Sequence, residues 1–236
     1  MNKAQGATGR GLTARPTHAD VALIGGHPVL DFANTVAWRT DPDRRVTRVE
    51  GVEAWVRWAG RVGLFSDQEA TALLPLTSCG EWNGHGEQSE RVRGTGVNVR
   101  DEPPRTSYDF TALEALRSAL WGVLDALTDN SPLPAGPWEV LRRSIVTARQ
   151  EAVLPPALPL RWQSRTTTFA DLAHALALQA DELLSSGLVQ RIRRCQGPGC
   201  GWFFLDRSRS GTRRWCSSSD CGNRDRARRH YHRSHP

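Results

Sequence analysis

Four cysteines constrain this chain more than any other feature: Cys195, Cys200, Cys216 and Cys221, spaced C-x4-C-x15-C-x4-C. Two cysteine pairs, each on a short turn, supply the four soft ligands in a tetrahedron that zinc prefers. The segment inside the first pair, Gln196-Gly-Pro-Gly199, is turn chemistry that lets the chain double back. Four thiolates leave no open coordination position for water or substrate, so the predicted ion, one Zn2+, is structural rather than catalytic. Disulfides are the competing use of four cysteines. A chain with no secretory signal disfavours them. The fifth cysteine, Cys79, stands alone in a polar stretch with no catalytic partner nearby in sequence.

Between the pairs, Trp202 to Leu205 and Arg213 to Trp215 flank the loop Asp206 to Thr212, and this predicts a β-hairpin whose aromatic side chains cover the metal. Beyond Cys221, the stretch Arg224 to Arg233 has no helix breaker and is expected to be helical. Knuckle, hairpin, knuckle, helix is the order of a small treble-clef-like zinc module. Asn223 is expected to cap that helix. His230, His232 and His235 are left for surface or phosphate contacts, because the cysteines complete the shell.

Charge divides the chain at the same place. Residues 191 to 236 hold twelve arginines, no lysine, three aspartates and no glutamate, a formal +9; residues 1 to 190 sum to −3. Counting a divalent ion and four thiolates still leaves the tail at +7. Such asymmetry predicts a polyanionic partner. Arg224, Arg228 and Tyr231 fall on one helical face, Arg226, Arg229 and Arg233 widen it, and Arg207, Arg209, Arg213 and Arg214 add charge from the loop. Guanidinium forks suit phosphate oxygens and guanine edges, which makes a nucleic acid the expected partner. Some of these arginines are also expected to hold the fold, pairing with Asp206, Asp220 or Asp225 or stacking on Trp202 and Trp215.

The longer region ahead of the cysteines reads as mainly helical with a minor β element. Residues 1 to 18 are small and polar and are expected to be a disordered lead-in. Val21 to Thr35 is compact and apolar, turning at Gly25, Gly26 and Pro28 and entering the core as a strand or short helix. Apolar residues at helical spacing predict a helix over 48 to 63. Ser66 and Glu69 form a capping box for a second helix ending at Leu74, and Thr111 with Glu114 forms another. Residues 76 to 107 are Gly-rich and polar, and are expected to be a long mobile loop. Helices are predicted again at Trp138 to Val153 and Thr168 to Ser186, with a short hairpin as an alternative over 152 to 166. The expected layout is a helical domain over 19–187 and a zinc finger over 190–236.

No run approaches the roughly 18 to 20 apolar residues of a membrane span, so a soluble, cytoplasmic protein is expected. The chain carries no phosphate loop, nucleophile motif or catalytic metal signature, and an enzyme is the least favoured class. Asp31, Asn34 and Thr35, set among apolar neighbours, could line a small-ligand pocket; the competing use is satisfying backbone groups at a bend or cap. His27, before Pro28, reads as a turn residue.

The cysteine-bearing segment resembles the CGNR zinc-finger family: Arg194-Cys195, Cys200-Gly-Trp-Phe-Phe-Leu-Asp206, Ser208-Arg209, Arg213-Arg-Trp-Cys216 and Cys221-Gly-Asn-Arg224. Gly26 together with Leu30-Asp-Phe-Ala-Asn-Thr35 is similar to the opening motif of the ABATE domain that precedes that finger. Residues 76 to 107 are longer and more polar than that family's pattern. The resemblance implies a zinc-bound finger that touches DNA, joined to a helical domain of unassigned role in a stress-induced transcription regulator. Effector sensing and homodimerisation are the expected jobs of the helical domain. The rival reading is a zinc-stabilised adaptor for protein or RNA, one that could also respond to thiol oxidation.

Overall fold

The computed structural model describes residues 22–73, 110–165 and 168–234. The loop expected at 76–107, the lead-in at 1–18, Cys79 and His235 lie outside these residues. The chain runs through α1 (Pro28–Ala33), β1 (Val36–Ala37), β2 (Val46–Thr47), α2 (Val52–Arg61), α3 (Asp67–Leu73), α4 (Thr111–Thr128), α5 (Ala135–Glu151) and α6 (Asp171–Ser185). A 3-10 turn (Gly187–Arg191) then leads to β3 (Ile192–Arg194), β4 (Phe203–Leu205) and the terminal helix α7 (Cys221–Ser234). The architecture is the expected one, a mainly helical body with a minor β element followed by a strand pair, a four-cysteine cluster and a helix.

Helix α1 is the hub. Pro28 sits in its first turn, where the missing N–H costs nothing, and His27 caps it by accepting a hydrogen bond from the Val29 amide at 3.3 Å. Val29, Leu30, Phe32 and Ala33 are all fully buried, between α4, α6 and β4. Phe32 meets Trp55 and Trp58 of α2 at ring separations of 5.7 and 6.1 Å, and the two tryptophans meet edge-on at 5.5 Å. Helices α4, α5 and α6 pack against one another in sequence order, and α4 and α6 meet α1. Leu116, Leu120 and Leu124 of α4, Leu141 of α5, and Leu172, Leu176 and Leu183 of α6 are at most 1% exposed. The Ser66–Glu69 capping box forms with both reciprocal bonds.

Three expectations are corrected. Thr111 is the first residue of α4 rather than its cap; Phe110 holds the cap position and no side chain caps there. Asn223 lies within the first turn of α7, which starts at Cys221 itself; its side chain donates to the Ser219 carbonyl and accepts from Arg226. The strand pair is also displaced. β4 pairs antiparallel with β3, Ile192 opposite Leu205, so the first cysteine pair forms the turn of the hairpin. Residues 213–215 are not a strand because Arg213 is otherwise engaged: its amide donates to Asp206 and its guanidinium to the carbonyls of Trp215 and Cys216. The alternative over 152 to 166 is realised as one antiparallel bridge, Val153 to Gln163.

β4 is the seam of the molecule. Side chains alternate across a strand, and here the two faces enter different cores. Phe203 and Leu205 join the apolar core of the body, whereas Trp202 and Phe204 pack with the four cysteines, Ala37, Trp38 and Trp215.

Candidate metal centre and basic helix

Cys195 and Cys200 lie on the hairpin turn, Cys216 ends the loop that follows, and Cys221 opens α7; all four are buried. Their sulfurs lie within 4.8 Å of one another. The separations Cys200–Cys216 and Cys216–Cys221 are 3.8 and 3.6 Å. A tetrahedron with metal–sulfur bonds of about 2.3 Å has edges of about 3.8 Å, so the donor set fits a metal site of four thiolates. A disulfide would need about 2.05 Å, and the four cysteines are free.

Hydrogen-bond donors converge on two of the four sulfurs. Amides of Gly197 and Cys216 point at the Cys195 sulfur at 3.4 and 3.3 Å, and Arg224 donates to the Cys221 sulfur at 2.8 Å. Hydrogen bonds from the Cys200 and Cys216 thiols, and then from these amides, pull Cys195 down to about 2. The bonds to Cys195 push Cys200 and Cys216 up, and burial pushes Cys221 up. Sulfurs this close share one negative charge unless a cation sits among them, and a bound cation deprotonates its thiols outright.

The hairpin turn is docked on the body by backbone as well as side chains. The Arg39 and Thr40 amides donate to the carbonyls of Cys200 and Gly199 at 3.2 and 3.3 Å. Gly199 and Gly201 have φ of +74° and +65°, and a Cβ there would lie 2.9 Å from Asp41 and 2.7 Å from Thr40. Only glycine permits both the conformation and the approach.

Arg39, 6% exposed, forks onto Asp125 of α4 with two bonds of 2.7 Å, donates to the Gly201 carbonyl and lies over the Phe203 ring at 4.8 Å. Arg194 of β3 reaches the same Asp125 at 2.9 Å and Asp129 at 2.5 Å. Burial works against the Asp125 charge, but the two guanidiniums overcome it and hold that carboxyl below its ordinary range. Trp38, in the left-handed region with φ 54°, is flanked by Arg44 at 3.3 Å and Arg224 at 4.5 Å. No sequence motif flagged Trp38, Arg39 or Asp125.

Asp31, Asn34 and Thr35 are buried, and their polar atoms are engaged within the protein. Asp31 accepts from the Gly25 amide at 2.8 Å. Asn34 forms a two-bond clamp on the backbone of Phe203, at 2.8 and 2.9 Å. Thr35 donates to the Phe32 carbonyl and accepts from Arg117. The clamp ties α1 to the seam strand.

The arginines of the tail divide into two groups. Arg207 donates to the Gly26 carbonyl, Arg213 lies over the Phe204 ring at 4.3 Å, and Arg214 bonds Gln196 and stacks on Trp215. Arg224 is held by Asp220, Cys221 and Trp38, so the face it was expected to share with Arg228 is partly turned inward. Arg228 and Arg229 share one buried acid, Asp225. Arg209 and Arg233 have no partner among the described residues. From Arg226 to Ser234 every residue of α7 is exposed.

The family model for ABATE, a putative stress-induced transcription regulator, matches residues 26–187, more than two thirds of the chain. The chain belongs to the ABATE family. The CGNR zinc finger matches residues 191–234 directly after it, so the cysteine cluster of this ABATE protein is the metal site of a zinc finger. A comparison with curated proteins gave no match. Among the described residues no helix is long and apolar enough to cross a membrane.

Proposed function

We propose that this ABATE protein is a DNA-binding transcription regulator. One structural zinc ion, held by Cys195, Cys200, Cys216 and Cys221, fixes the root of α7, and the projecting part of that helix lies against duplex DNA. The exposed stretch of α7 carries the reading. A helix that is polar all round buries nothing to stabilise it, and the like charges of Arg229 and Arg233 at i, i+4 oppose it further. A polyanion reverses that penalty. Arg209, Arg226, Arg228, Arg229 and Arg233 are assigned to phosphate or base contact, with Arg207 beside them. Arg213, Arg214 and Arg224 are assigned to holding the finger.

A single finger offers a small interface, and the reading therefore includes a homodimer. Exposed Trp138, Val140 and Val146 of α5, with Leu158, Leu160 and Trp162 nearby in sequence, support a self-association face on the helical body. The protein is assigned no catalytic activity. The test is enrichment of randomised duplex DNA on the zinc-loaded protein at near-physiological salt. The reading predicts a reproducible motif, repeated at a fixed spacing. No enrichment, or preference for RNA or a protein partner, would replace it with the adaptor reading.

A further inference from the structure

Asp225 of α7 is a buried acid with exposed partners: its side chain is 8% exposed, against 54% for Arg228 and 61% for Arg229. The other ion pair at the root of the helix, Arg224 with Asp220, has an acid that is 59% exposed. An exposed pair of that kind is screened by water and holds neither side chain firmly. A buried carboxylate stays where packing puts it, and an arginine bound to it is held as well. Arg229 is held at 2.7 Å through one terminal nitrogen, whereas Arg228 reaches the same acid only at 3.5 Å. The other N–H groups of Arg229 have no partner among the described residues. A guanidinium carries five donors, so adjacent N–H groups remain for a second pair of acceptors.

Arg229 also lies in the part of α7 that is exposed on every side, the nine residues from Arg226 to Ser234. That stretch is about 13 Å long, and a helix bare on all faces can enter a major groove about 12 Å wide. The arginines within it differ. Arg233 has no partner among the described residues, and Arg226 bonds only the neutral oxygens of Ser218 and Asn223. These two keep their full charge for phosphates, which accept many directions of approach, whereas a base edge accepts few.

We propose that Arg229 reads a guanine in the major groove, and that Asp225 is the positioning residue that makes the contact directional. The free N–H groups of the fork donate to guanine O6 and N7. Asp225 partly offsets the Arg229 charge, which weakens its attraction to any phosphate and leaves geometry to decide where it binds. The proposal rests on the DNA reading of α7 and names what that helix recognises.

The test uses the zinc-loaded full chain and the duplex it enriches from a randomised pool, with each G·C pair of that duplex changed in turn to A·T. At one guanine the change is expected to weaken wild type about tenfold or more. Arg229→Lys keeps the charge without the fork and should bring that ratio below about threefold, with bulk duplex binding and its salt slope unchanged. Asp225→Asn should lower the ratio about threefold or more while bulk binding stays equal or tightens, because a negative charge near the phosphates is gone. In the Arg229→Lys background, Asp225→Asn should change the ratio no further, the mark of a residue that acts through Arg229. A merely structural acid would shift Tm and zinc content and leave the guanine ratio alone. The proposal is overturned if either single variant keeps the wild-type ratio, or if the two losses add. If Asp225→Asn fails to fold, Arg229→Lys decides: a lost ratio supports the proposal and a kept ratio overturns it. Duplex binding by wild type with no guanine-dependent position overturns this proposal alone, whereas no duplex binding at all overturns the DNA reading and this proposal with it.

Discussion

Helices α6 and α7 are nearly the same length, 15 and 14 residues, and are held in place by opposite means. α6 buries seven apolar side chains, from Leu172 to Leu183, in the common core of the body. α7 buries Cys221, Gly222 and Asp225, all in its first five residues, and nothing after them. One helix is fixed along its length by apolar area. The other is fixed at one end, by a metal-site thiol, by the Arg224–Trp38 stack and by the ion pairs of Asp225. The difference teaches where function can reside. Residues of α6 cannot be spared from the core, whereas the outer turns of α7 bury nothing; Arg228 and Arg229 reach back to Asp225, and Arg233 is available to a partner.

The comparison breaks most visibly at the metal. Cys216→Ser should abolish stoichiometric zinc and forfeit most of the roughly 10 to 16 kcal/mol that such a site contributes. Zinc content and near-UV circular dichroism, which reports Trp202 and Trp215, should both collapse. Leu176→Ala, in α6, should cost about 3 to 4 kcal/mol in urea unfolding through the cavity it leaves. Arg233→Ala, near the far end of α7, should cost under about 0.5 kcal/mol. If the two substitutions cost the same, the contrast between the helices is wrong. Asn34→Ala should cost about 3 kcal/mol, because the buried N–H and C=O of Phe203 both lose their partner.

The two regions should also answer pH in opposite senses. Burial raises Asp31 of α1 to about 6, against an ordinary 3.8, with the Gly25 amide opposing the shift. A raised folded-state pKa means that its stabilising contribution is present below about pH 4 and lost as pH climbs through 6. Asp31→Asn should therefore gain on wild type by on the order of 2 kcal/mol between about pH 4 and pH 8. Zinc retention runs the other way, since protons compete for the thiolates as pH falls. Unfolding curves of both proteins at the two pH values separate the effects, and a difference that does not change with pH would show that Asp31 does not titrate in this way.

Much of the metal site was legible in sequence, because ligand spacing is a local property and zinc tolerates few alternatives. The apolar periods of α2, α4 and α6 were legible for the same reason, as were His27 at a turn and the Ser66–Glu69 box. Strand choice was not. Trp202 to Leu205 could pair forward or backward, and only the commitment of Arg213 to Asp206 and Cys216 decides for β3. The docking residues were invisible because they act at long range: Arg39 reaches Asp125, and Asn34 reaches Phe203, across 86 and 169 positions of sequence. The arginines of the tail looked alike in sequence. Their division into structural and spare depends on neighbours such as Trp38 that carry no local signature.

The central claim, that the outer arginines of α7 contact DNA, is tested most directly by the salt dependence of duplex binding. Wild type should show a log–log slope of about −5, as expected for about six phosphate contacts. Replacing Arg226 and Arg233, neither of which pairs with a buried acid, together with Ala should reduce that slope by nearly 2 and lower affinity at least about tenfold at low salt, with zinc content unchanged and Tm nearly so. An unchanged slope and affinity in a variant that keeps its zinc would contradict the claim.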